Sequence, residues 1–357
     1  MMVELGKARG VVFRRLSQRS SLRRRSGLVV LTATVVFSLL GTATAASGET
    51  VMTATAARIV TPGRNLPDPF ILHVGSEYYM YSSQTSIYTP TVSLTMSKGD
   101  SLFSWGKTRA ALDSVSSLAE NGFSWAPDVR RIDGLYVLYF DAWSRKSMYF
   151  APSESGFKQR GQCLWTATSE SPAGPFSPQH RPLLCQFNHH GDIDPRTFVS
   201  PSTQLWLIWK SDDNAFEPAR PTYLWSQHLS SNGLSLVGER YVIFAGKRGT
   251  WSGGLGEAPD MVYASHTYWL FFSGNWFNGP NYSIGLARCA SPAGPCASVS
   301  IHPWLSSNPL GRNPGEESLV RNAQGWWIAF SPSEGKYRPV AIASVSFDSH
   351  DAFVHGL

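Results

Sequence analysis

The residues best placed to do chemistry in this sequence are acids that sit beside proline at the entrances of aromatic segments. Gly256, Glu257, Ala258, Pro259, Asp260 and Met261 precede the apolar run 263–272. Related arrangements occur at Pro67-Asp68, Trp125-Ala126-Pro127-Asp128, Ile193-Asp194-Pro195 and Glu316-Glu317, each followed by a segment rich in Tyr, Trp or Phe. Carboxyl groups gathered from distant segments can divide acid–base work. One, kept neutral, donates a proton to a leaving oxygen, and another, kept ionised, takes a proton from water. A single Asp-Pro pair is an ordinary turn or strand-start signal, so the series as a whole has to be explained by a common scaffold.

The scaffold is read from the period. Asp68, Asp128, Asp194, Asp260 and Glu317 recur at spacings of 57 to 66 residues. Each unit begins at an acid, enters an apolar strand, turns at Gly75, Gly134, Ser202, Ser265 or Gly325, and continues into an aromatic strand. The apolar segments are short, rich in Val, Ile, Tyr, Phe and Trp, and bounded by turn formers, with no convincing amphipathic helix. A second marker agrees: Ser-Pro-Ala-Gly-Pro at Ser171 returns at Ser291, 120 residues or two units later. A β-sandwich would supply similar strands without the regular period. Radial repetition predicts an all-β fold, a five-bladed β-propeller over residues 58–357, with the innermost strand of each blade lining a central channel. Acids at equivalent places then meet at one mouth of that channel.

The rest of the chain sets bounds. Arg23, Arg24 and Arg25 precede an apolar run from Leu28 to Leu40 and small residues from Gly41 to Ala46. That pattern predicts a signal peptide over 1–46 and export, and the run is shorter than the ~20 residues of a membrane-spanning helix. No stable membrane anchor is expected. A short linker, 47–57, follows. The segment 1–46 holds eight of the 31 Lys and Arg and one of the 25 Asp and Glu, which leaves 23 positive against 24 negative. The basic balance of the whole chain therefore belongs to the signal and gives no reason to expect nucleic acid as a partner. The four cysteines form two local pairs, Cys163 with Cys185 and Cys289 with Cys296, each spanning a Ser-Pro-Ala-Gly-Pro loop. Two disulfides suit an oxidising compartment; four buried thiols are the other reading.

Acids converging from several blades suit glycoside hydrolysis, in which two carboxyl groups act on opposite sides of the scissile bond. Asp68 in Leu66-Pro67-Asp68-Pro69, the run Trp125-Ala126-Pro127-Asp128-Val129, Ile193-Asp194-Pro195 and Glu257-Ala258-Pro259 resemble, in order and spacing, the motifs of glycoside hydrolase family 43. The resemblance covers about residues 60–335. It implies a five-bladed propeller that inverts anomeric configuration, acting as an arabinofuranosidase, arabinanase or xylosidase. Carried over position by position, it makes Asp68 the general base, Glu257 the general acid, and Asp194 the carboxylate that orients the acid and raises its pKa. It requires no cofactor for catalysis, and its partner is a polysaccharide or oligosaccharide. A monomer secreted to the extracellular space and acting on chain ends is the expectation.

Other residues carry paired readings. Asp128 reads as structural, closing the turn of the second blade. Trp125 either stacks on a sugar at the channel mouth or packs between blades. Trp276, in Ser273-Gly274-Asn275-Trp276-Phe277, is expected to border the sugar pocket. His189 and His190 are neighbours on the chain and so face opposite ways, which speaks against one shared metal; contact with sugar or exposure on a loop is expected instead. Glu316 follows Gly315 where some relatives have a histidine near a central ion. Its carboxylate offers a ligand for a structural calcium in the channel, or a charge that tunes the acid. Two rival functions stay open: a propeller that binds glycans without cleaving them, and a retaining fructoside hydrolase.

Overall fold

The computed structural model describes residues 57–83, 94–113, 124–143 and 161–357. The segment 1–46 expected to be a signal peptide, and all of the expected linker except Ala57, lie outside the described residues. Five antiparallel sheets follow one another along the chain. Blade I is built on strands Phe70–Val74, Glu77–Ser82 and Thr95–Ser101, and blade II on Ser124–Ile132, Leu135–Ala142 and Cys163–Ser169. Blade III uses Asp192–Val199, Leu205–Ser211, Tyr223–Leu229 and Leu236–Ala245. Blade IV uses Glu257–Ala264, Thr267–Gly274 and Ser283–Cys289, and blade V uses Arg312–Asn322, Gly325–Ser333 and Ala341–Phe347. These sheets form the expected five-bladed β-propeller. One feature was not anticipated: Arg58–Ile59 pairs antiparallel with Ala341–Phe347, so the start of the domain completes the last blade and closes the ring.

Each blade is pressed between two neighbours, so its strands are apolar on both faces. Five buried clusters result, one per blade interface. Between blades II and III, for example, Val137, Tyr139 and Leu164 meet Leu207, Trp209 and Leu229. Aromatic fillers are the physical answer to a wedge that widens outward, and Trp209, Trp269, Tyr139 and Phe271 are all fully buried.

Both disulfides form, Cys163–Cys185 and Cys289–Cys296, and no described cysteine is free. The two Ser-Pro-Ala-Gly-Pro loops share one construction. In each, the glycine N–H bonds back to the serine carbonyl, Gly174 to Ser171 and Gly294 to Ser291. Each also hands a proline carbonyl to the preceding blade: Pro172 accepts from the Tyr81 hydroxyl, and Pro292 from Ser226 Oγ at 2.8 Å.

Candidate active site

The inner strand of every blade breaks its ladder at the same place. Non-glycine residues at Asp68, Ala126, Asp194, Ala258 and Glu316 have φ of 56°, 47°, 56°, 47° and 55°. In blades II to V the pairing register shifts across these positions, which marks a β-bulge. A left-handed backbone at a residue with a side chain costs roughly 1–3 kcal/mol and persists only where the surroundings enforce it. Here the neighbouring blade does so. Ser83 Oγ accepts the Ala126 N–H at 2.7 Å, Asp141 Oδ2 the Asp194 N–H at 3.1 Å, and Ser273 Oγ the Glu316 N–H at 2.9 Å.

This bulge is the true repeat, and it corrects the alignment drawn from the acids alone. Asp68 and Asp194 occupy the bulge position, but Asp128 and Asp260 come two residues after it and Glu317 one after. The residue before the bulge is Pro67, Trp125, Ile193, Glu257 or Gly315. Glu257 and Trp125 are therefore equivalents, and Glu316 stands where Asp68 and Asp194 stand. Asp128 does not close a turn. It is fully buried on the inner strand, accepts from Thr197 Oγ1 at 2.6 Å, and lies 3.8 Å from Arg196 Nη1, which ties blade II to blade III. Asp260 likewise takes the Leu319 N–H of blade V at 2.7 Å.

Three blades contribute the acids expected to react. Asp68, partly exposed, accepts from Ser83 Oγ. Burial of its carboxyl in the channel raises its pKa, opposed by that hydroxyl and by the Arg338 guanidinium, with the Glu257 charge raising it further. Asp194 is pushed up to about 7 by burial, against the pull of Lys210 and with added repulsion from Glu257 and Asp68. Its Oδ2 accepts the Ala258 N–H at 2.9 Å, beside Glu257 in the chain. Glu257, 7% exposed, is held by the Lys210 ammonium at 2.9 Å. The expectation that Glu257 would sit beside a second carboxylate therefore needs completing, because its direct partner is a cation.

Glu316 joins this group. Burial, followed by the charges of Asp68, Asp194 and Glu257, raises its pKa well above the ordinary carboxyl value, while the Tyr282 hydroxyl bonds its Oε1 and opposes the rise. Gly315 is required here: a Cβ would fall 2.0 Å from Tyr282 Cε1, so only glycine lets that ring lie against the bulge. Among the described residues, no three His, Cys, Asp or Glu side chains are placed to hold one metal ion. The Glu316 carboxyl, offered in the sequence as a calcium ligand or a tuning charge, is engaged by the Tyr282 hydroxyl.

Trp125 is half-buried at the ring position of Glu257. Trp276 is 51% exposed on the loop after the second strand of blade IV, with its ring 5.4 Å from that of Phe277. Arg338 donates to the Phe277 carbonyl at 3.3 Å while its guanidinium lies 5.4 Å from the Tyr282 ring, so this loop is fastened to the same mouth. The histidines lie not on an extended strand but at the end of a 3-10 turn, Phe187–His189, and neither is a free loop residue. His189 Nδ1 contacts both carboxyl oxygens of Asp213 at 3.0 and 3.1 Å, and His190 packs edge-on against Phe216. Sequence reading missed Lys210, Asp212, Arg338 and Tyr282. A lysine following the apolar run Leu205–Trp209 was a usable signal; Arg338, in irregular chain just after a turn, had none.

The comparisons agree with this geometry. The family description "Glycosyl hydrolases family 43" matches residues 58–349. A non-reducing end alpha-L-arabinofuranosidase of Bacteroides ovatus is 24% identical over 307 residues, covering 79% of this chain and 50% of that protein. A xylosidase/arabinosidase of Humicola insolens is 25% identical over 124 residues, covering 32% of this chain and 33% of that protein. The chain thus spans half or less of the length of these curated relatives. Among solved structures, a thermostable family-43 glycoside hydrolase superposes with a TM-score of 0.71 at 22% identity, covering 85% of this chain and 96% of that one. With the family description matched across all five blades and the acids converging at one mouth, this chain belongs to the glycosyl hydrolases of family 43.

Proposed function

We propose that this glycoside hydrolase releases terminal arabinofuranosyl, or related pentosyl, residues from arabinose-containing polysaccharide outside the cell, with inversion at the anomeric carbon. The observation that carries the reading is the meeting of Asp68, Asp194 and Glu257, from blades I, III and IV, within electrostatic reach of one another. In this mechanism Asp68 takes a proton from the attacking water, and the Ser83 hydroxyl and Arg338 guanidinium favour its ionised form against the larger cost of burial. Glu257 carries the proton for the leaving oxygen. Asp194 fixes the peptide that bears Glu257 through the Ala258 N–H. Trp125 and Trp276 offer flat apolar faces for the sugar rings.

The arabinose preference rests on the Bacteroides ovatus relative, and export rests on the pattern in residues 1–46. Release of pentose from a panel of aryl pentosides and arabinose-containing polymers tests the reading. A parent enzyme that binds these polymers and releases no sugar would overturn it.

A further inference from the structure

The second strand of each blade places one polar residue opposite the residue before the bulge. These are Ser83, Asp141, Lys210, Ser273 and Ser331, fixed by the pairings Trp125↔Asp141, Ile193↔Lys210, Glu257↔Ser273 and Gly315↔Ser331 and by the Ser83 N–H to Pro67 carbonyl bond. Ser83, Asp141 and Ser273 accept the bulge N–H of the next blade. Lysine has no acceptor. At blade III, therefore, the usual arrangement fails, and two changes follow together. Asp194 turns to accept the Ala258 N–H at 2.9 Å, and the freed ammonium of Lys210 reaches Glu257 Oε2 at 2.9 Å and Asp212 Oδ1 at 3.5 Å.

Resting on the reading of Glu257 as the general acid, we infer that Lys210 is the positioning residue for that acid: its ammonium holds one carboxyl oxygen of Glu257, turns the other toward the leaving group, and sets the pH range over which the proton is available. Lys210 is 1% exposed, so its charge has no solvent to fall back on. Burial alone would lower its pKa, but the carboxylates of Glu257, Asp212 and Asp194 outweigh that and raise it. One ammonium thus faces three carboxyl groups, those of Glu257, Asp212 and Asp194. The other groups whose charge bears on these carboxyls are Asp68 of blade I, Asp141 of blade II and Glu316 of blade V, the Tyr282 hydroxyl beside Glu257, and His190, which acts on Asp212. A lost counter-charge makes those carboxyl groups harder to ionise, and a lost carboxylate makes them easier.

The test measures kcat and KM from pH 4 to 9 for the parent, Lys210→Met, Lys210→Arg and Asp212→Asn. Substrates are a 4-nitrophenyl pentofuranoside and an oligosaccharide whose leaving group needs protonation. Lys210→Met should lose about 100-fold in kcat on the oligosaccharide and about tenfold or less on the aryl substrate, with its basic limb displaced upward by roughly one pH unit. Lys210→Arg should recover part of both effects. Asp212→Asn should move the basic limb down, a change of opposite sign that a purely structural role would not produce. Equal losses on the two substrates, or an unmoved limb in Lys210→Met, would overturn the inference. Should Lys210→Met not fold, an Asp212→Asn limb that stays in place or moves up overturns it alone. A parent without activity on any substrate defeats the functional reading itself, whereas an active parent with these negative results defeats only the role of Lys210.

Discussion

Asp194 Oδ2 accepts the backbone N–H of Ala258 at 2.9 Å, so a carboxylate of blade III holds the peptide next to Glu257 of blade IV. Asp194→Asn keeps an acceptor and loses a charge, whereas Asp194→Ala loses both. The expected order of kcat is parent, then Asn at about tenfold to 100-fold lower, then Ala at about 1,000-fold lower, with KM moved far less. Equal kcat for the two variants would show that the hydrogen bond is irrelevant.

Asp68→Ala and Glu257→Ala should separate by leaving group. Without its base, the enzyme loses about 1,000-fold or more on every substrate; without its acid, it keeps much of its rate on 4-nitrophenyl substrates, whose leaving group needs little help. NMR of the first-formed sugar should give the inverted anomer. An initially retained anomer contradicts the assignment of Asp68 to water activation.

Glu316 makes stability depend on pH in a stated direction. Its folded pKa is raised by burial and neighbouring acids, so between the unfolded value and the folded one the native state holds a proton that the unfolded chain releases. That contribution is fully present below the unfolded pKa and is lost as pH rises toward the folded pKa. Asp194, at about 7, acts with the same sign between roughly pH 4 and 7. Glu316→Gln should match the parent Tm near pH 4 and exceed it increasingly toward pH 8, by ~2–4 °C for each kcal/mol relieved. A Tm difference that stays flat with pH would mean the carboxyl titrates alike in the folded and unfolded chain.

Trp276 is exposed, so its loss should leave folding alone. Trp276→Ala is expected to raise KM for oligosaccharides several-fold with Tm within about 1 °C of the parent, because stacking on a ring is worth about 1 kcal/mol. Unchanged KM on all substrates would remove it from the pocket rim.

The disulfides differ in the loop each closes. Cys163–Cys185 spans 22 residues and Cys289–Cys296 spans 7. Constraint of the unfolded chain predicts losses of about 3 and about 2 kcal/mol on replacement by serine pairs. Chemical denaturation of both double variants gives the ranking, and a larger loss for the shorter loop would contradict the entropic account.

The fold was legible because each blade must present the same elements in the same order, and Gly75, Gly134, Ser202, Ser265 and Gly325 mark the hairpins of five sheets. The alignment of the acids was not. A bulge adds a residue to the strand without changing the composition around it. Asp68 and Asp128 therefore look alike in sequence while one sits at the bulge and the other, two residues on, ties blades together. Proline was the better guide: Pro69, Pro127, Pro195 and Pro259 each follow the bulge residue directly, and only blade V, with Glu317, breaks that rule. Lys210 stood out by its place in an apolar run, but its contact with Glu257 and that of Arg338 with Phe277 were out of reach, because those partners lie on another blade and no spacing along the chain encodes them.

The pairing of Arg58 with Ile342 also governs how the molecule comes to exist. The first strand among the described residues, Arg58–Ile59, has no strand partner until nearly the whole domain has been synthesised. Contacts this far apart are formed late and slowly. Until then the face of blade I that will meet blade V stays uncovered, with Ile71, Tyr78 and Met80 awaiting Trp327 and Ile342. A partial chain is thus denied a finished ring, and the mouth where Asp68 meets Glu316 is assembled only when the last blade arrives.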